Sequence, residues 1–297
     1  MSLRRRLANA LAARPAAGLW LALAPGLACL VVFVVLPLAA MVVTTFWRSS
    51  VDGMVPAWNL ANYRRALTDP VFGRLLVKTL RISLTVTLLI LVVGYPLAYV
   101  IARRAGRYKQ LLVLLVFIPY WISYVIRSYS WYPILGREGA INYALVHLGL
   151  VRAPLDLFLF NEFSVHVGLT SVFLPFAVIP IYLSLERINQ AYLEAAADLG
   201  ASPVRAFRHV MLPLSLPGVL GGGLMVFILT IGAYVTPQLL GGPSGIMLGN
   251  IIADQFGATF NWTWGGTLAL AMMLVTLAVI WLIGRRVRIA QIFLGEE

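Results

Sequence analysis

The sequence predicts an all-α polytopic membrane protein with six transmembrane helices, and three observations carry that reading. Hydrophobic residues make up 61% of the 297 positions and charged residues only 11%, with a mean hydropathy of +0.88. A water-soluble domain keeps about a quarter of its residues charged, so this chain has too few charges to cover a soluble surface. Six apolar runs reach the roughly 20 residues that a helix needs to cross the hydrocarbon core. The basic residues gather in segments that alternate with those runs.

The runs cover about 19–46, 75–101, 111–132, 163–185, 216–240 and 264–283. The start, three arginines followed by an apolar stretch, could be taken for a signal peptide. Its apolar part is too long for a signal h-region and no polar mature domain follows, so the expectation is a retained first helix. Pro25 and Pro37 should bend that helix, because each removes a backbone donor and collides with the preceding turn. The division is a cytoplasmic segment over 1–18, a six-helix domain over 19–285 with a polar hairpin at about 186–214, and a tail over 286–297.

A net charge of +12 would suggest nucleic acid in a soluble protein, but placement favours the membrane reading. Arg4, Arg5, Arg6 and Arg14 precede the first run, and Arg103, Arg104, Arg107 and Lys109 follow the second. Arg187, Arg205 and Arg208 flank the hairpin, while Arg285, Arg286 and Arg288 follow the sixth run. With six spans these segments share one side, which the positive-inside rule makes cytoplasmic along with both termini. The opposite loops dilute their bases with Asp52, Asp69, Glu138, Asp156, Glu162 and Asp254. Cys29 is the only cysteine and lies inside an apolar run, which excludes a disulfide framework or thiol metal cluster.

The hairpin carries the most informative pattern. Residues 188–199 are mostly helix formers, with Leu193, Ala196, Ala197 and Gly200 close on one face. Gly200 suits a left-handed C-terminal cap, and Ser202-Pro203 reads as an N-cap followed by proline at the first helical position. The expected form is helix, tight turn, helix. Ala195, Ala196 and Ala197 allow close approach of another surface, and Glu194 and Asp198 present charge one turn apart. Residue types alone leave open both a docking surface and an ordinary amphipathic cytoplasmic hairpin.

The run Glu194-Ala195-Ala196, three residues, Gly200, nine residues, Val210-Met211-Leu212-Pro213 resembles the EAA signature of permease subunits of ATP-binding-cassette importers. Every fixed position matches except that Val210 stands where the pattern has Ile. Arg127-Ser128-Tyr129-Ser130-Trp131, Leu174-Pro175-Phe176, Gly232-Ala233-Tyr234-Val235-Thr236-Pro237 and Asn261-Trp262 are similar to the first permease of spermidine/putrescine systems. Permeases for opines, aminophosphonates or ferric iron share much of this. The resemblance implies a type I importer permease fold and a coupling role for Glu194, Ala195, Ala196, Asp198, Gly200 and Pro213. It also implies a second homologous permease, two ATPase subunits that bind ATP and Mg, and a periplasmic or surface-tethered binding protein. No cofactor is expected in this chain, and no metal site.

Rival classes fit poorly. A P-loop needs a Gly-rich turn ending in Lys-Ser/Thr, and the only candidate, Lys78-Thr79, opens an apolar run with Gly73 as its only nearby glycine. The chain is therefore expected to hydrolyse no ATP by itself. An ion-coupled carrier or channel usually places an ionisable residue near the bilayer midplane, and the centres of the six runs hold no Asp or Glu. Arg81 and Arg127 are expected near outer span ends, where long cations snorkel. His147, His166 and His209 show neither triad nor metal-ligand spacing.

For a cationic solute, aromatic faces and carboxylates would provide the path. Tyr124, Tyr129, Trp131, Tyr234 and Asp254 are the candidates. Tyr and Trp also form belts at membrane interfaces, and both readings of this cluster stay open. Gly218, Gly221, Gly222 and Gly223 permit close helix packing, either between subunits or within the chain.

Overall fold

The computed structural model describes residues 15–50 and 53–287. The expected N-terminal segment as far as 14 and the expected tail from 288 onward lie outside these residues, as does Asp52. Five helices among the described residues are long and apolar enough to cross a membrane, and a bent pair supplies a sixth span.

The first span consists of α1 (Pro15–Leu30), a π-helical turn (Val31–Val35) and α2 (Leu36–Thr44). Pro37 cannot donate to the carbonyl four residues earlier, and the wider turn just before it relieves the collision. A short antiparallel hairpin follows, β1 (Arg48–Ser50) with β2 (Gly53–Val55), pairing Ser49 with Met54. The all-α expectation omits it, although Asp52-Gly53 is a hairpin signal in the sequence. After α3 (Ala61–Thr68), the long helix α4 (Pro70–Arg103) starts where the Asp69 side chain accepts from the Val71 amide.

The third span departs from expectation. Instead of one helix over 111–132, α5 (Lys109–Phe117) tightens into a 3-10 turn at Ile118–Trp121 and stops. Ile122 and Ser123 are extended, and α6 (Tyr124–Tyr129) leaves with a bend of 98° between the two arms. Pro119 and the extended Ser123 account for the break, since neither continues the ladder of backbone bonds. The second arm continues through α7 (Tyr132–Leu135) and α8 (Ala140–His147).

Helix α9 (Glu162–Arg187) begins with a capping box between Asn161 and Ser164. The polar hairpin is α10 (Gln190–Asp198) and α11 (Pro203–Ala206), joined by a π-helical turn (Phe207–Met211) to α12 (Leu212–Ile231). Pro213 lies two residues beyond that turn, the offset of Pro37 from the earlier one. The fifth span also ends early: expected to 240, it stops at Ile231, and α13 (Val235–Leu240) restarts after Gly232. Pro237 therefore belongs to a separate short helix and does not bend the long one. Two further helices, α14 (Gly242–Gly245) and α15 (Leu248–Gly257), precede the last span, α16 (Trp262–Val287).

The core is a three-helix layer of α4, α9 and α12. Ile82, Val86 and Ile90 line one stripe of α4 at four-residue spacing, opposite Leu169, Val172, Ile181 and Leu185 of α9 and Val226 of α12, all buried. A Cβ on Gly218 would lie 2.5 Å from the Pro180 carbonyl oxygen, and one on Gly222 would lie 2.9 Å from the Ala177 Cα. These glycines serve packing within the chain, where their missing side chains let α12 press on α9. The first span is uncovered over its apolar length, as expected for a helix facing lipid or a neighbour.

Candidate functional site

The hairpin projects from one end of the three-helix layer. Asn189 caps α10 by accepting from the Ala191 amide at 3.0 Å. The helix ends in a Schellman motif: the Gly200 amide donates to the Ala197 carbonyl at 2.8 Å, and the Ala201 amide donates to Ala196 at 3.0 Å. Gly200 has φ +77°, the left-handed conformation that the sequence anticipates. Ser202 then accepts from the Arg205 amide at 3.4 Å, with Pro203 opening α11.

Leu193 packs on the core and Ala196 is half-buried, so these two hold the hairpin from below. Glu194, Ala195, Asp198 and Gly200 are exposed on the other face. Around them stand Tyr192, Leu199 and Val204, exposed by 58%, 89% and 76%. Apolar side chains left this open on a turn that also carries two acids form a surface suited to another protein. Pro213 is exposed at the start of α12 and sets the turn below the hairpin.

Three anchors at the hairpin base were not legible as such in the sequence. Arg103, read there only as one of the clustered bases, donates through Nη2 to the carbonyls of Leu185 at 2.9 Å and Ile188 at 2.7 Å, closing the end of α9. Lys109 forms an ion pair with Glu186. Phe207 meets the rings of Tyr95 and Tyr99 edge-on at 5.8 and 6.5 Å. A base near a helix end is a general signal for the first two, but the partner carbonyls and carboxylate lie about 80 residues away in sequence. A groove of about 600 Å³ opens beside these anchors, lined by Arg187, Tyr192, Leu214 and Pro217.

The residues expected to line a solute path divide into two groups. Tyr124 stacks on Phe173 at 6.2 Å, and its hydroxyl accepts from Thr236 at 3.0 Å. Trp131 donates from Nε1 to Ser171 Oγ at 2.9 Å. With Tyr120, whose hydroxyl donates to the Val172 carbonyl at 2.5 Å, these rings meet α9 at three consecutive residues, 171–173. That level is near the middle of the 26-residue α9. Tyr129, half-exposed, stacks on Tyr132 at 5.0 Å.

Tyr234 sits at the break between α12 and α13, half-exposed, and its carbonyl accepts from Asn250 at 2.8 Å. Asp254 is exposed on α15 and belongs to none of the ion pairs found among the described residues. Glu162, by contrast, is engaged by Arg81 at 2.5 Å. Arg127 also departs from expectation. Its guanidinium carbon lies 4.4 Å from the centre of the Tyr120 ring, which in turn makes a T-shaped contact with Phe176 at 5.1 Å between ring centres, so it lies near the middle of α9 and not at a span end.

A family model described as "Binding-protein-dependent transport system inner membrane component" matches residues 90–287, two thirds of the chain, which take in the last part of α4, the bent span, α9, the hairpin and everything from α12 to α16. The chain belongs to this family of inner-membrane transport components. Members compared with it include the spermidine/putrescine transport system permease protein PotB of Escherichia coli K12, 34% identical over 83% of this chain and 89% of that one. PotB of Haemophilus influenzae is 32% identical over 82% and 85%. The inner membrane ABC transporter permease protein YdcU of Escherichia coli K12 is 36% identical over 70% of this chain and 69% of its own length.

Among solved structures, a chain of a bacterial ABC transporter involved in import of the acidic polysaccharide alginate superposes with a TM-score of 0.67 at 18% identity, covering 95% of this chain and 99% of its own. A chain of the MetNI methionine ABC transporter gives 0.54 at 20% identity, over 76% and 99%. The fold is thus that of an ABC importer permease. As a family member the chain is a multi-pass inner-membrane permease subunit, a class that is not itself enzymatic.

Proposed function

We propose that this chain is one of two homologous permease subunits of an ATP-driven importer and passes a polyamine or related organic cation from a binding protein to the cytoplasm by alternating access. The observation that carries the coupling reading is the exposed hairpin, with Glu194, Ala195, Ala196 and Asp198 set on a turn that Gly200 and Pro213 shape and that Arg103 ties to α9. Two ATPase subunits, binding ATP and Mg, would seat one such hairpin each. ATP binding draws the hairpins together and turns the cavity outward, and hydrolysis resets it. The hairpin then faces the cytoplasm, as do both termini, in a bacterial inner membrane. A periplasmic or surface-tethered binding protein would deliver solute at the opposite end.

The cargo reading rests on similarity to the spermidine/putrescine permeases, supported by the aromatic level on α9 and the free carboxylate of Asp254. Tyr124, Tyr129, Trp131, Tyr234 and Asp254 remain the proposed path. Reconstituted with its partners and binding protein, the complex should take up radiolabelled spermidine or putrescine in an ATP-dependent manner. ATPase activity unmoved by polyamine-loaded binding protein would overturn the cargo and leave the permease assignment standing.

A further inference from the structure

Arg187, the last residue of α9, does neither of the jobs usual for a base at a helix C-terminus, capping the final carbonyls or pairing with an acid. Arg103 comes across from the end of α4 to take the carbonyls of Leu185 and Ile188, and Lys109 pairs with the neighbouring Glu186. The other ion pairs among the described residues join Arg81 to Glu162 and Arg137 to Asp156, and none includes Arg187, which is exposed.

Its side chain lines the groove of about 600 Å³ between α9 and α12. Gly218 lets the two helices close to contact beneath that groove, so its floor is shallow and its walls come from the side chains on either side. Away from the hairpin the lining is apolar except for Ser184, and Leu183 and Leu214, which wall it, are each close to half-exposed. Toward the hairpin stand the two other polar groups, Arg187 and the Tyr192 of α10. The 26 residues of α9 reach about 39 Å at 1.5 Å per residue, longer than the roughly 30 Å hydrocarbon core. Its last two turns, which form the groove, therefore lie at the membrane boundary, with the charge on the water side and the apolar walls on the acyl side.

We infer that this groove seats an anionic phospholipid of the leaflet on the hairpin side, with its phosphate on Arg187 and the upper part of its chains along Leu183 and Leu214. Charge complementarity selects the occupant: a cation without an acid at the boundary and apolar walls toward the bilayer match an amphiphile with an anionic head. The guanidinium fork takes phosphate oxygens in pairs, and a cationic solute would be repelled there. Tyr192 belongs to α10, so a lipid in this place touches both the span and the hairpin. That the leaflet is the cytoplasmic one rests on the orientation proposed above.

The test places the full chain, alone and in the assembled transporter, in phosphatidylcholine vesicles doped with a photoactivatable phosphatidylglycerol or with phosphatidylcholine carrying the same group. Phosphatidylglycerol should label the groove in preference to phosphatidylcholine, and its labelling should fall about fivefold in Arg187→Gln while Arg187→Lys keeps most of it. Leu214→Trp, which fills the groove from an exposed position, should lower the labelling too, with an unchanged size-exclusion profile. Inorganic phosphate added to the vesicles should leave the labelling in place, because the apolar walls hold the chains. Equal labelling by the two lipids, or labelling that Arg187→Gln leaves unchanged, would overturn the inference, and full displacement by inorganic phosphate would do so by making this a free-anion site. Labelling of the chain alone that disappears on assembly would assign the groove to a subunit contact, which also overturns it. A reporter after Arg205 that reads external would instead defeat the orientation, since the label reads the groove on either leaflet.

Discussion

At Gly200 the backbone has φ +77°, where a β-branched side chain is strained by about 1–3 kcal/mol, yet the space around its missing Cβ is open. A substitution there acts on the turn and not on packing. Gly200→Val should lower ATP-driven uptake about tenfold at normal complex yield, and Gly200→Asn, which tolerates the left-handed region, should lose far less. Uptake measured beside yield separates the two effects. Asp254→Asn should reduce uptake of an organic cation without loss of complex, because the exposed carboxylate supports nothing in the fold. Trp131→Ala, which removes the bond to Ser171 and half-buried ring surface, should lower the yield as well. The turn at Gly200 was legible because its chemistry is local, a φ sign and two caps within fifteen residues. Arg103 was legible only as a base, since the carbonyls it closes come from another helix.

Among the elements, the join between α9 and α12 depends on absent side chains. Gly218→Leu would push against the Pro180 carbonyl and the Ser184 side chain, both at 2.5 Å from even a Cβ, so folded protein should be largely lost in detergent. Gly223→Ala, whose Cβ would meet the movable end of Leu91 at 3.3 Å, should be tolerated, and size-exclusion profiles of the two variants provide the comparison. The spans themselves were readable from apolar run length. Where they break was not, because Ile118-Pro119 and Gly232-Ala233 sit inside runs whose composition suits lipid throughout. Pro119 followed by Ser123, and Gly232 followed by Pro237, hold the signal in retrospect: proline removes a donor, and the next cap starts a new helix. The aromatic cluster read as a belt or a path is divided by the broken third span: Tyr120, Tyr124 and Trp131 meet residues 171–173 of α9, whereas Tyr129 stacks on Tyr132, which meets Phe160 just before α9 begins.

Across the whole molecule, one end carries Arg103, Lys109, Arg187, Arg205 and the hairpin, and the other carries the β hairpin, Asp69 and the Arg81–Glu162 pair. Reporter fusions after Lys109 and Arg205 should therefore read cytoplasmic, and fusions near Asp156 and Pro243 external. One exchanged location would reverse or break the six-span arrangement. The central claim, that an ATPase subunit seats on the hairpin, is tested most directly by a photo-crosslinking residue at Leu199, exposed by 89% on the hairpin turn. Leu67, also exposed by 89% but on α3 at the opposite end, is the control. In the assembled transporter the Leu199 position should capture the ATPase subunit and the Leu67 position should not. Capture of the ATPase at both, or at Leu67 alone, would contradict the account.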